Sequence, residues 1–325
     1  MLPIGVVIPT RNSVLYLPRH VASLREWIPQ VHEVVVVDSF SQDSTLELLR
    51  AQLHHPRLRF VSRPPGLYQS WNYAIQRLNA HYTYVATVGD SITLPGLLHL
   101  FEAAERFQSD VILSPPVFQG LDGKDLHSKQ WTIHRYLRAQ ATLKPTALPG
   151  SHLFLTSVFA GASGMMGSSA SNLYRTATLK ARPFPTEYGH VGDTAWGVAH
   201  AFEIRAVLTP ERCARFLLHP NAGQVTEAQE IELEGKLMEL ARATLRESLL
   251  RQLIPAAAGS FWAIMAEYER LHRQAHTSDS AYYRYRSGRL PWFLHARAWR
   301  ARRARNRFRA AAERLWRGAL AEFSF

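Results

Sequence analysis

Two near-continuous apolar runs open the chain, residues 4–8 and 33–37. Each stops at polar groups, the first at Pro9-Thr10-Arg11-Asn12 and the second at Asp38. Runs without polar alternation are what strands buried on both faces require. Between them Leu17, Val21, Leu24 and Ile28 recur at helical spacing. Beyond Asp38, Ser44 or Asp43 is placed to cap a helix carrying Leu46, Leu49 and Leu53. Residues 58–61 read as a third strand, followed by Pro64-Pro65-Gly66 and a helix over 68–78. Residues 82–88 read as a fourth strand ending at Gly89-Asp90. Strand–helix alternation at this spacing predicts βαβ units, hence an α/β fold with a mostly parallel sheet, right-handed crossovers and helices on both faces.

After residue 115 the periods weaken. Residues 119–130 read as a polar loop and 131–140 as a helix. The stretch 145–174 holds no Asp, Glu, Lys or Arg. Pro149, Gly150, Gly161, Gly164 and Gly167 break it below the length of a membrane span, so a buried strand-and-loop region is expected there. A helix is expected over 194–202. From Thr226, which forms a capping-box pattern with Gln229, the chain reads as helical: Ile231, Leu233, Leu237, Leu240 and Leu245 fall near one face, and further helices are expected over 260–272 and 290–320.

Composition narrows the class. Of 325 residues, 46% are hydrophobic and 11% aromatic, enough for a sizeable core and too many for a disordered chain. The single cysteine, Cys213, excludes an internal disulfide framework and any Cys-based zinc site, and fits a reducing compartment. The N-terminus lacks the basic start of a signal peptide, and Pro9 and Arg11 cut its apolar run. The formal charge of +12 is concentrated at one end: after Tyr282 there are twelve arginines and only Glu313 and Glu322 to oppose them. The basic character therefore belongs to the tail and says little about the substrate of the main domain.

A parallel sheet binds ligands at the carboxyl ends of its strands. Here those ends carry Thr10, Arg11 and Asn12, then Asp38 and Ser39, then Arg63, then Gly89 and Asp90. No G-x-G-x-x-G follows the first strand and no G-x-x-x-x-G-K-[ST] occurs anywhere, so the dinucleotide and P-loop readings lack their phosphate cradles.

These residues resemble the family 2 glycosyltransferases of the GT-A, Rossmann-like fold. Val6-Val7-Ile8-Pro9-Thr10-Arg11-Asn12 is similar to the family's opening strand and turn. Residues 36–45, Val-Val-Asp-Ser-Phe-Ser-Gln-Asp-Ser-Thr, resemble its Val-Asp-Ser-x-Ser-x-Asp-x-Thr segment, and residues 66–75, from Gly66 through Asn72 to Ile75, a subgroup's Gly-Ile-Tyr-Asp-Ala-x-Asn-x-Gly-Ile. Thr87-Val88-Gly89-Asp90 falls on the metal-binding Asp-x-Asp-Asp, or on its Asn-Ser-Gly-Asp variant. The resemblance covers about the first 115 residues. It implies a GT-A domain over 1–220, with a nucleotide-binding half near 1–115 and an acceptor half near 116–220, followed by a helical extension over 221–325.

The implied reaction moves a sugar from a nucleotide diphosphate donor to an acceptor hydroxyl of a glycan or lipid-linked acceptor, with inversion. Pro9, Thr10, Arg11, Asn12, Asp38, Ser39, Arg63, Gly66, Asn72, Gly89 and Asp90 are the implied nucleotide-sugar residues. Asp193 is similar to the Asp of the family's Glu-Asp motif, the general base, with Gly192 in place of the Glu; its bland alternative is a helix N-cap. Asp90, with His219 in second place, is the candidate ligand for Mg²⁺ or Mn²⁺. The alternative is that arginines at the strand ends, Arg11 and Arg63, neutralise the diphosphate. Competing readings are a nucleotidyltransferase, for which the first turn is too short and glycine-free, and a non-catalytic nucleotide-sugar-binding relative, suggested by the missing carboxylates at 87 and 89. Nucleic-acid binding would use only the tail and leaves the first 220 residues unexplained. Along 290–320 arginines surround an apolar stripe, and Trp292, Trp299 and Trp316 supply amphipathic rings. This predicts a cytoplasmic enzyme held peripherally by anionic lipid at the inner face of the cytoplasmic membrane, acting in surface polysaccharide or glycolipid synthesis.

Overall fold

The computed structural model describes residues 1–160, 165–218, 227–255, 259–286 and 292–323. They fall into two compact units, Met1–Thr244 and Leu245–Phe325.

The first unit opens with β1 (Leu2–Thr10), α1 (Leu17–Arg25), β2 (Val31–Asp38), α2 (Thr45–Gln52), β3 (Leu58–Ser62), α3 (Leu67–Ile75) and β4 (Tyr82–Val85). β1 pairs in parallel with β2 and β4, and β2 with β3. The sheet is mostly parallel, as the run pattern predicts. Alternate β1 side chains face opposite ways. Ile4, Val6 and Ile8 join Leu17, Val21 and Leu24 of α1 and Leu49 of α2 in one core cluster. On the other face a Cβ at Gly5 would meet Leu78, just past α3, at 2.9 Å, so only glycine admits this close approach.

The chain continues through β5 (Ser91–Ile92), α4 (Leu94–Phe107), β6 (Val111–Leu113), β7 (Val117–Gln119), α5 (Thr132–Ala139), β8 (Thr146–Leu148) and α6 (Gly150–Ala160). It completes the sheets with β9 (Leu173–Arg175), α7 (Thr176–Ala181), α8 (Gly192–His200), β10 (Ala206–Leu208) and β11 (Ala214–Leu217). The main sheet runs β3-β2-β1-β4-β9-β6-β10-β8, and a small sheet runs β5-β11-β7. β9 lies antiparallel between β4 and β6, welding the two halves.

The uncharged stretch 145–174 corrects one expectation: it contains a helix, α6, as well as strands and loops. Leu153, Phe154, Leu155, Thr156 and Ser157 are all fully buried. A helix covered on every side has no polar face, so the 3.6-residue alternation that betrays a surface helix is absent.

α9 (Glu227–Leu250) continues from the first unit across its boundary. Its Leu233, Leu237 and Leu240 pack on Tyr188, Val191 and Ala195 around the start of α8. Thr226 and its capping box lie outside the described residues.

The second unit carries α10 (Phe261–Arg286) and α11 (Trp292–Glu322). The two run antiparallel, with the Phe261 and Phe323 rings 4.2 Å apart at the root. Met265, Tyr268 and Leu271 are buried there with Trp316, Ala319 and Leu320. This corrects the role expected for Trp316, which is 3% exposed: it belongs to the hairpin's packing and is unavailable to a membrane. Trp299 is 56% exposed, with Arg303 stacked over its ring at 4.8 Å. Arg300, Arg302, Arg307 and Arg309 are exposed along the same stretch.

Candidate active site

Parallel register puts Thr10, Asp38 and Ser62 in one row at the strand ends. Pro9 pairs with Val37 one step earlier. The Ser39 N–H donates to the Thr10 carbonyl (2.8 Å) and the Arg63 N–H to the Asp38 carbonyl (3.0 Å), so the three expected ends are bound into one edge. Asp38 is buried, and its carboxylate accepts from the N–H of Ser41 (3.0 Å) and from the Ser41 hydroxyl. The first turn is fastened to the second: Asn12, in the left-handed region at φ 44°, accepts from the Gln42 N–H (2.8 Å) and donates its own N–H to Ser41 Oγ (3.0 Å). Arg11 projects from this turn into solvent. Arg63 lies 5.6 Å from the Tyr73 ring centroid. Thr10 Oγ1 is buried without a hydrogen-bond partner at the same edge.

α3 begins after Gly66 and ties this edge to the acceptor half. Its Ser70 hydroxyl lies 3.2 Å from that of Ser39. Asn72 does not reach the strand ends: its amide donates to the Phe184 carbonyl (2.7 Å) and accepts from the Phe184 N–H (3.0 Å). Its contribution is therefore to hold the segment that leads into α8. Tyr68 extends from the same helix to donate to the His190 carbonyl (3.1 Å).

Asp193 occupies the second position of α8, which starts two residues earlier than its sequence pattern suggests. The N-cap is Val191, so Asp193 does not serve as an N-cap. It is half-buried and accepts from the Thr194 N–H at 2.6 Å. Burial pushes its carboxyl up to about 6, against the opposing pull of the Thr194 N–H and of Tyr68. Gly192, in place of the motif's Glu, sits where the packing leaves no room for a side chain. A Cβ there would stand 2.4 Å from the Tyr68 ring and 2.8 Å from the Pro185 carbonyl oxygen.

Asp90 forms a third cluster. It is buried, one carboxylate oxygen accepting from the Leu217 N–H (2.9 Å) and the other from the Ser168 hydroxyl (2.9 Å). Burial raises it to about 7. Gly89 has φ +103°, and a Cβ would meet Leu217 at 3.2 Å, so this backbone favours glycine at the motif's second aspartate position. The Thr87 hydroxyl bonds Ser169 Oγ at 3.0 Å. This donor set does not fit a cation held by the protein. It offers one carboxylate, and among the described residues no three His, Cys, Asp or Glu side chains converge on one point. His219 lies outside the described residues.

Sequence reasoning did not assign Tyr68, Ser70 or Ser168. Tyr68 and Ser70 stand inside the Gly66–Ile75 motif, the available signal, but their partners lie up to 122 residues away.

Residues 5–161 match the model of the family described as glycosyl transferase family 2. No curated protein sequence matches the chain. Among solved structures, TarS of S. aureus residues 1–349 in complex with UDP-GlcNAc is similar at 16% identity with a TM-score of 0.52. The corresponding complex with UDP is similar at 17% identity with a TM-score of 0.50. Each similarity covers 98% of this chain and 92% of the other. At these identities the likeness shows a common GT-A fold.

Proposed function

We propose a mechanism for a chain that is, over residues 5–161, a family 2 glycosyltransferase using a nucleotide-sugar donor: a single inverting displacement with Asp193 as the general base. The observation that carries this reading is the link through α3. One helix touches the nucleotide edge through Ser70 and Ser39, and through Tyr68 it touches His190 and Gly192 at the start of α8, beside Asp193. In this reading Asp193 takes the proton of the acceptor hydroxyl as its oxygen bonds to the anomeric carbon. The bond from that carbon to the diphosphate breaks, and the electron pair leaves with the phosphate. A single in-line attack inverts the anomeric centre. Asp38 and Ser39 hold the nucleoside, and Arg11 and Arg63 offset the charge of the departing diphosphate.

UDP is the first nucleotide to test, because the similar TarS structures were obtained with UDP and UDP-GlcNAc. Calorimetric titration of UDP should show binding that Asp38→Ala weakens at least tenfold. Equal affinity in the folded variant would overturn the pocket assignment. A second reading, a non-catalytic nucleotide-sugar-binding relative, draws on Thr87 and Gly89. Donor hydrolysis by the purified protein excludes it.

The acceptor in this proposal is a glycan or glycolipid of the cell surface pathway, presented at an anionic membrane. Support comes from the exposed arginines and Trp299 of α11. Among the described residues no helix is long and apolar enough to cross a membrane.

A further inference from the structure

We propose that Tyr68 is the positioning residue of the general base: its hydroxyl proton moves between the His190 carbonyl and the Asp193 carboxylate as Asp193 gains and loses the acceptor's proton. The inference rests on Asp193 acting as that base. The Tyr68 ring is 2% exposed and fixed on three sides, 4.8 Å from Trp71, 5.6 Å from Phe184, and against the Cα of Gly192. A ring so confined cannot swing away, and its hydroxyl has one proton to give. The His190 carbonyl oxygen accepts from it at 3.1 Å, and the ring packs against Gly192, the residue next to Asp193, whose carboxylate feels the hydroxyl.

While Asp193 is ionised, the proton is best placed on the carboxylate, a charge-assisted bond that holds one oxygen and leaves the other for substrate. Once Asp193 is protonated, its need for a donor falls and the tyrosine turns to His190. The tyrosine O–H bond is never broken; only its direction changes. Glycine at 192 is required for this arrangement, because any side chain there would displace the ring.

After burial and the Thr194 N–H, Tyr68 is the next influence on the carboxyl, and it comes from outside α8. Tyr174 of β9 also feels the Asp193 charge, but its hydroxyl accepts from the Asn172 amide (3.1 Å). On α8 itself Thr194 contributes its N–H and hydroxyl. The charged groups Glu187, Lys236 and Glu239 act on Tyr188, where α9 packs. Losing the Tyr68 bond should therefore raise the carboxyl further, since that bond is among the influences holding it down.

The test compares the whole protein with Tyr68→Phe, which keeps the ring and its packing, using UDP-N-acetylglucosamine hydrolysis as the reaction. The acidic limb of kcat should move to higher pH. At pH near 6 kcat should fall about tenfold, while the donor KM stays within about twofold. A pH profile superimposable on the parent's, or a fall in kcat with the limb unmoved, overturns the proposal. If turnover is too slow, carbon-13 NMR titration of the Asp193 carboxyl reads the same shift directly, and an unmoved titration has the same meaning. Asp193→Asn separates the two ideas. An inactive Asn variant beside an unmoved Phe profile sinks only the role of Tyr68, whereas an active Asn variant sinks the base itself.

Discussion

The Cα of Gly192 and the ring of Tyr68 are packed so closely that a methyl group on the glycine would stand 2.4 Å from ring carbon Cε2. A tyrosine more than a hundred residues earlier thus fills the space that a side chain at 192 would need. Gly192→Ala should destabilise the protein by about 1–3 kcal/mol, the usual cost of overpacking a filled site. It should also lower transfer activity, because the ring must leave Asp193. Thermal melts with parallel activity assays check this; a variant with parent stability and activity would show that the ring moves aside freely.

Asp193 carries a cost in stability that depends on pH. Its folded value is about 6 against an ordinary 3.8, so the folded state holds this proton more tightly than the unfolded state does. Stability from this group is therefore fully present below pH 4, falls as pH rises toward 6, and stays lost above it. Asp193→Asn should melt above the parent at pH 7.5, by about 1–3 kcal/mol after allowance for partial exposure, and show no such advantage at pH 4. Equal differences at both pH values would contradict the raised carboxyl.

Asp90 joins the turn after β4 to Ser168 and to Leu217 at the end of β11. Asp90→Ala leaves two buried donors unanswered and should cost about 2–4 kcal/mol. Asp90→Asn keeps an acceptor for the Leu217 N–H and can donate to the Ser168 oxygen, so its cost should be about 1 kcal/mol or less. UDP affinity in EDTA should lie within about threefold of that in Mg²⁺. A loss beyond tenfold would return Asp90 to the role of cation ligand.

How much of this was legible in the sequence depends on what covers each segment. β1 and β2 announce themselves because strands buried on both faces leave no polar alternation, and the motif residues Thr10, Asp38 and Ser39 lie at their ends as expected. The start of α8 was misread because Val191 is an unconventional N-cap, and α6 because complete burial erases its period. Tyr68 was visible as a letter in a motif and silent as a contact. Its partners His190 and Gly192 come together with it only after the sheet has folded. Trp316 reads as an interfacial ring in the sequence because its pattern does not reveal that the fold buries it.

The exposed part of α11 should bind anionic membranes. At about 1 kcal/mol per arginine near the surface, five such residues give useful attachment. The protein should sediment with phosphatidylserine-containing vesicles, stay in solution with neutral ones, and release at high salt. Replacing Arg300, Arg302, Arg303, Arg307 and Arg309 by Gln should abolish sedimentation. Unchanged sedimentation would remove α11 as the anchor.

In the proposed reaction Asp193 accepts the acceptor's proton, and Asp193→Asn removes that capacity without enlarging the side chain. Asn preserves the size of the side chain and the bond from the Thr194 N–H but cannot take a proton at neutral pH. Parallel measurement of sugar transfer and of UDP binding should show turnover reduced by at least 10²-fold with nucleotide affinity within about twofold of the parent, and a parent kcat that rises with pH to a plateau above about 6. Near-parent turnover by the Asn variant would contradict the account.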